Sequence, residues 1–192
     1  MKGFYMNAYD FDGTIYDGDS GAEFIKFMFI KKPLFMTRHL LKSSVGFMKY
    51  KMKKIQFKEM KENIFSFVGK VDDLEKYTTE FAKKNKHKVK KYYHTNRRDD
   101  DVIISASVDF YLIPLCKEIG INNVICTEYD IKNGKIKNEN CKNAEKVRRF
   151  EEKYGKDAII ENAYGDSKGD YELLNRAQKG FMIKGQEVTV FK

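Results

Sequence analysis

Residues 9–20 read Tyr-Asp-Phe-Asp-Gly-Thr-Ile-Tyr-Asp-Gly-Asp-Ser and follow the largely apolar run Phe4-Tyr5-Met6-Asn7-Ala8-Tyr9. Residues two apart on a strand share a face, so Asp10 and Asp12 set two carboxylates side by side. Neighbouring carboxylates repel unless a cation neutralises them, or unless one works while the other handles a proton. The stretch therefore predicts a buried strand over residues 4–10, ended by Gly13, whose carboxyl end carries chemistry.

Working outward, Ser20-Gly21-Ala22-Glu23 has the form of a capping box and predicts a helix from about residue 20. From there to about residue 95 the apolar residues recur only at helical spacing, as in Phe24, Phe27 and Met28 or Leu74, Tyr77 and Phe81. Pro33 and Gly69 punctuate that stretch. After Asp99-Asp100-Asp101 the pattern changes. Val102-Ile103-Ile104 predicts a strand stopping at Ser105, and a helix follows from about Val108 to Glu118, kinked at Pro114 and closed by Gly120. Val124-Ile125-Cys126 is a further strand, and Asn133-Gly134 marks a hairpin. Helices are expected over Glu145–Tyr154 and Tyr171–Gln178, and strands from Ala158, over residues 181–183 and over residues 188–190. Such alternation predicts an α/β chain with a parallel sheet covered on both faces. The core is split, with residues 1–17 and 96–192 forming the sheet layer and residues 18–95 an all-helical insertion.

Composition bounds the function. A chain of 192 residues, 42% hydrophobic and 14% aromatic, builds a packed core and is not globally disordered. Cys116, Cys126 and Cys141 are odd in number and form no metal-ligand spacing, which predicts reduced structural thiols in a cytoplasmic protein. The start lacks the apolar region of a signal peptide, and charges interrupt every stretch of membrane-spanning length. His39, His87 and His94 lie far apart without ligand spacing and are expected at the surface. The net charge of +9 is uneven: from Lys26 to Lys58 there are ten basic residues and no acid. That run reads either as a solvated helical face or as an attraction for anions. Its large apolar residues, among them Phe27, Phe29, Leu34 and Phe35, make an anionic membrane surface the second of those expectations. No recognised nucleic-acid motif is present.

In an open parallel sheet the working site lies beyond the carboxyl ends of the strands. Strand ends deliver Asp10 and Asp12, then Ser105, with Ser107 at the expected cap of the next helix, then Gly165-Asp166-Ser167-Lys168-Gly169-Asp170. Lys146 heads a later helix, with Lys142 as its rival. Carboxylates from two strand ends suit a hard cation such as Mg²⁺, while a hydroxyl, a lysine and a helix N-terminus suit phosphate oxygens. Together they describe metal-assisted phosphoryl transfer through an aspartate nucleophile.

Asp-x-Asp-Gly-Thr after the first strand, a strand ending in Ser, a lysine, and Gly-Asp-Ser-x-x-Asp together resemble the haloacid dehalogenase-like phosphohydrolases. The helical insertion resembles the cap of their phosphoserine-phosphatase-like branch, and the resemblance covers residues 4–20 and 102–184. It implies a Rossmann-like core and a Mg²⁺-dependent phosphomonoester hydrolase. Asp10 would be nucleophile and metal ligand, and Asp12 general acid/base with its main-chain carbonyl on the metal. Asp166 would complete the metal site, supported by Asp170. Gly13, Ser105, Ala106 and Lys146 would join Asp10 around the phosphoryl group, the motif's spacing favouring Lys146 over Lys142. The second motif reads Ser105-Ala106-Ser107 where phosphoserine phosphatases have Ser-Gly-Gly, which counts against phosphoserine as substrate. A small metabolite phosphate and a lipid head-group phosphate both remain. The competing class is a catalytically idle anion- or membrane-binding module on the same fold.

Overall fold

The computed structural model describes residues 5–192. The first strand, β1 (Tyr5–Tyr9), is followed by five helices: α1 (Ser20–Lys31), α2 (Pro33–Lys51), α3 (Phe57–Phe65), α4 (Leu74–Asn85) and α5 (Lys91–Asn96). Next come β2 (Val102–Val108), α6 (Asp109–Glu118), β3 (Val124–Thr127) and a small hairpin of β4 (Tyr129–Asp130) and β5 (Lys135–Ile136). The chain closes with α7 (Ala144–Tyr154), β6 (Ile159–Gly165), α8 (Tyr171–Arg176), β7 (Lys179–Lys184) and β8 (Glu187–Val190).

The main sheet has the order β3-β2-β1-β6-β7-β8, parallel except for β8, which runs antiparallel to β7. β1 sits where the order reverses, with β2 on one side and β6 on the other. A crevice opens at such a switch point, beyond the strand ends. Side-chain alternation sends successive β1 and β2 residues to opposite faces. Tyr9 and Ile103 join Leu112 and Leu115 of α6 on one face, while Met6, Ala8, Val102 and Ile104 meet Phe150 of α7 and Leu173 of α8 on the other. Phe24 and Phe27 of α1 and Phe81 of α4 belong to the first of these cores, so the helical insertion is packed onto the sheet layer. Rings in register across three strands reinforce it, Tyr9 stacking on Tyr164 at 4.4 Å and Tyr164 on Phe181 at 5.0 Å.

Local expectations differ from the structure in several places. Asp19, not Ser20, caps α1, its carboxylate accepting from Ala22 N at 2.9 Å. Ser20 is buried and its N–H is taken by Asp12, while Glu23 binds the Tyr16 hydroxyl and Lys88. β2 runs on to Val108 because its register with β3 shifts between Ser105 and Val108, so Ser107 is a strand residue and no cap. α8 ends at Arg176, since Gln178 N already donates to Ile160 O at 2.9 Å on the way into β7. β8 is an exposed antiparallel edge and lies outside the parallel prediction. His39 is half-buried rather than a surface residue, with Nε2 at 2.8 Å from Ile64 O and 3.0 Å from Ser43 Oγ, and burial lowers its pKa.

Candidate active site

Asp10 immediately follows β1, and its N–H donates to Tyr164 O at 2.9 Å, which anchors the strand end to β6. Its carboxylate accepts from Lys146 Nζ at 2.6 Å, and the same ammonium donates to Asp170 Oδ1 at 2.6 Å. All three side chains are buried. Burial pushes the Asp10 carboxyl up to about 7; the Lys146 ammonium opposes that rise and the Asp170 charge adds to it. For Lys146 burial works against the charged form, but the two carboxylates outweigh it and raise the pKa.

Several local devices aim these groups. Arg149 seats α7 by donating to Cys126 O at 2.6 Å and Glu139 O at 2.7 Å, and Lys146 lies one turn earlier on that helix. Asp170 is fixed by Ser167, whose N–H and hydroxyl donate to Oδ2 at 3.1 and 2.9 Å. The glycines of the two motifs have specific reasons. Gly13 has φ +71°, and a Cβ there would lie 2.1 Å from Asp166 Oδ2. A Cβ on Gly165 would lie 2.4 Å from Asp170 Cβ.

Carboxylate oxygens of Asp10, Asp166 and Asp170 lie within 4.8 Å of one another. The Asp12 carboxylate is not part of that cluster; it accepts from Ser20 N at 2.7 Å and from the Ser107 hydroxyl. Burial raises the Asp12 pKa despite those two bonds. Ser105 is buried, its hydroxyl accepting from Ser107 N at 3.1 Å. Asp10, Asp12, Gly13, Ser105, Ala106, Lys146, Asp166 and Asp170 thus share one cleft of about 540 Å³. Lys142 stands on the same cleft without touching Asp10, its ammonium 5.6 Å over the Phe57 ring.

The other wall of the cleft comes from α1 and α3, with Ile25, Phe57, Met60, Ile64 and Phe65. Amid these apolar residues lies Lys61, which sequence reasoning missed. Lys61 is buried, donates to Asn140 Oδ1 at 2.8 Å and to Ala106 O, and burial lowers its pKa to about 8. A signal existed: Phe57, Met60, Lys61, Ile64 and Phe65 form one helical stripe, and a lone cation on an apolar stripe is a buried cation. Lys90 was missed as well; it is buried and donates to Gly13 O from a basic run where nothing marks it out.

The family model of haloacid dehalogenase-like hydrolases matches residues 8–175, and the chain belongs to that family. Protein CicA of Caulobacter vibrioides is 35% identical over 88 residues, a segment covering 43% of this chain and 40% of that protein, so less than half of CicA is matched. Among solved structures, a protein of unknown function from Bordetella pertussis Tohama I aligns with a TM-score of 0.74 at 15% identity, covering 93% of this chain and 89% of that one. A phosphoserine phosphohydrolase-like protein from Francisella tularensis aligns with a TM-score of 0.56 at 16% identity, covering 95% and 88%. At these identities the two structures share the fold: a Rossmann-like sheet with helices on both faces.

Proposed function

We propose that the chain is a Mg²⁺-dependent phosphomonoester hydrolase working through an aspartyl-phosphate on Asp10. The observation that carries this reading is the Asp10 carboxylate at the switch point, held by Lys146 at 2.6 Å and clustered with Asp166 and Asp170. Residues 18–95 then act as the cap that selects substrate, and residues 1–17 and 96–192 as the hydrolase core.

The donor set fits a hard cation, because the three clustered carboxylates, two of them paired with the Lys146 ammonium, offer oxygen ligands only. Asp10 and Asp166 would hold it, with the Asp12 main-chain carbonyl, while Asp170 keeps Lys146 in place. Bound there, Mg²⁺ would offset the carboxylate charge and polarise the phosphoryl oxygens. The rest falls to the chain. Asp10 Oδ forms a bond to phosphorus as the ester P–O bond breaks, and Asp12 gives its proton to the departing oxygen. Asp12 then takes a proton from the water that attacks phosphorus, which frees Asp10 and releases phosphate. Ser105, Lys146 and the Gly13 and Ala106 segments hold the transferring group, and Ser107 orients the Asp12 carboxylate. The cleft wall from α1 and α3 is apolar apart from Lys61, which suits a leaving group with apolar surface, whether on a small metabolite or a lipid head group. Three free buried cysteines support a reducing, cytoplasmic setting.

Phosphate release from a panel of phosphomonoesters, with Mg²⁺ and with EDTA, tests the reading. Mg²⁺-dependent release that disappears in Asp10→Asn is expected. Undiminished release by that variant in EDTA would overturn both nucleophile and metal.

A further inference from the structure

The outward face of α2 carries a pattern that the catalytic reading leaves unused. Met36, Ser43 and Gly46 turn inward, where α2 packs against α1 and α3. Leu34, Leu41, Val45 and Met48, with Met52 just past the helix end, recur at steps of seven, four, three and four. At 3.6 residues per turn those steps fall along one line, opposite the buried side. Each of the five is between 53% and 69% exposed. Arg38, Lys42 and Lys49 border this line along one side, and Lys51, Lys53 and Lys54 surround its end. Among the described residues none of these six forms an ion pair, and no Asp or Glu occurs from Lys26 to Lys58.

We propose that this face of α2 docks on an anionic lipid bilayer. The helix lies in the plane of the headgroups, its aliphatic line dipping among the chains and its basic border resting on lipid phosphates. No helix among the described residues is long and apolar enough to cross a membrane, so contact is from the side. Charge complementarity selects the occupant. A second copy of the chain would bring two basic borders together with no acid to pair them. A nucleic acid would satisfy the basic border but offers no surface for leucine, valine and methionine. The structure also revises which apolar residues take part: Phe27 is buried and Phe35 packs against the core, whereas Leu41, Val45 and Met48 are free. This inference does not depend on the proposed hydrolysis.

Co-sedimentation of the full chain with phosphatidylglycerol vesicles and with phosphatidylcholine vesicles, at low and high salt, tests it. Binding to phosphatidylglycerol is expected, weakened by salt to a residual part and absent on phosphatidylcholine. Each basic side chain near such a surface is worth about fivefold in partitioning, so the triple variant Arg38→Gln, Lys42→Gln, Lys49→Gln should bind on the order of a hundredfold more weakly. Leu41→Ser with Met48→Ser should remove the salt-resistant part at an unchanged melting temperature, because both side chains are exposed. No binding to phosphatidylglycerol at low salt, or binding that both variants leave unchanged, overturns the proposal. So does a dimer in sedimentation that dissociates in the Leu41→Ser, Met48→Ser variant, which would assign the face to a second copy.

Discussion

The strand ends and the helical insertion use charged residues in opposite ways. Around β1, Asp10, Lys146 and Asp170 are buried and bonded at 2.6 Å, so each charge is held by another. Along α2 the charges are exposed, mostly unpaired and of one sign. The first arrangement is costly to bury and gives fixed geometry; the second is cheap, mobile and long-ranged. Lys61 crosses from one regime to the other, a cation of the insertion buried in the cleft, and Lys90 does so at the Gly13 carbonyl.

If the buried charges are the working ones, their removal should dominate. Asp10→Asn is expected to lower turnover by roughly 10⁴-fold or more, as loss of a nucleophile does elsewhere, with the melting transition retained. Steady-state assays beside thermal melts check this, and a variant keeping a tenth of its activity would break the contrast. Asp12→Asn should cost roughly 10²–10⁴-fold on alkyl phosphates, the span of general acid–base catalysis. On an aryl ester, whose leaving group needs no proton, the first step should survive and phosphoenzyme should accumulate. Equal loss on both esters would remove Asp12 from proton transfer. Asp166→Asn should be milder, roughly 10²-fold at limiting Mg²⁺ and partly restored by excess, since one ligand of several is lost. A titration that excess Mg²⁺ leaves flat would take Asp166 off the metal.

How much of this was legible follows from the same contrast. Asp10, Gly13, Lys146, Asp166 and Asp170 stand at strand ends and helix starts, where chain position dictates place, and Ser105 stands just before the register shift in β2, so their spacing along the sequence maps onto one crevice. Ser107 was misread because the strand was expected to stop at Ser105, and the register shift that carries it inward depends on β3, a tertiary partner that no local pattern reveals. Ser20 was misread for a related reason: a serine directly after the capping position can serve Asp12 as well as the helix. Within the insertion, helices were legible from periodicity, but their docking was not. His39 was expected at the surface because nothing near it in sequence announces Ile64 as its partner.

Lys61 is where the two regimes meet, and its effect should be the smallest of the set and the most informative. Its ammonium bonds Ala106 O and Asn140 Oδ1 but no carboxylate, and burial outweighs the opposing pull of the Asp12 and Asp19 charges, lowering the pKa from 10.5 to about 8. The sign follows from proton linkage. Between about 8 and 10.5 the unfolded chain keeps a proton that the folded chain has released, so this group makes stability rise with pH across that window. Below it, the charged lysine is a burden on the fold, tolerable if it serves an anionic substrate. Lys61→Met, of similar length and apolar, should therefore leave the melting temperature at neutral pH equal or higher while KM for a phosphomonoester rises about tenfold, the loss of one charge-assisted contact. In the parent protein KM should climb as pH passes about 8, and in the variant that climb should vanish. A melting temperature that falls while KM stays put would make Lys61 a strut between α3 and the core, and the cleft's selectivity would then rest on its apolar wall.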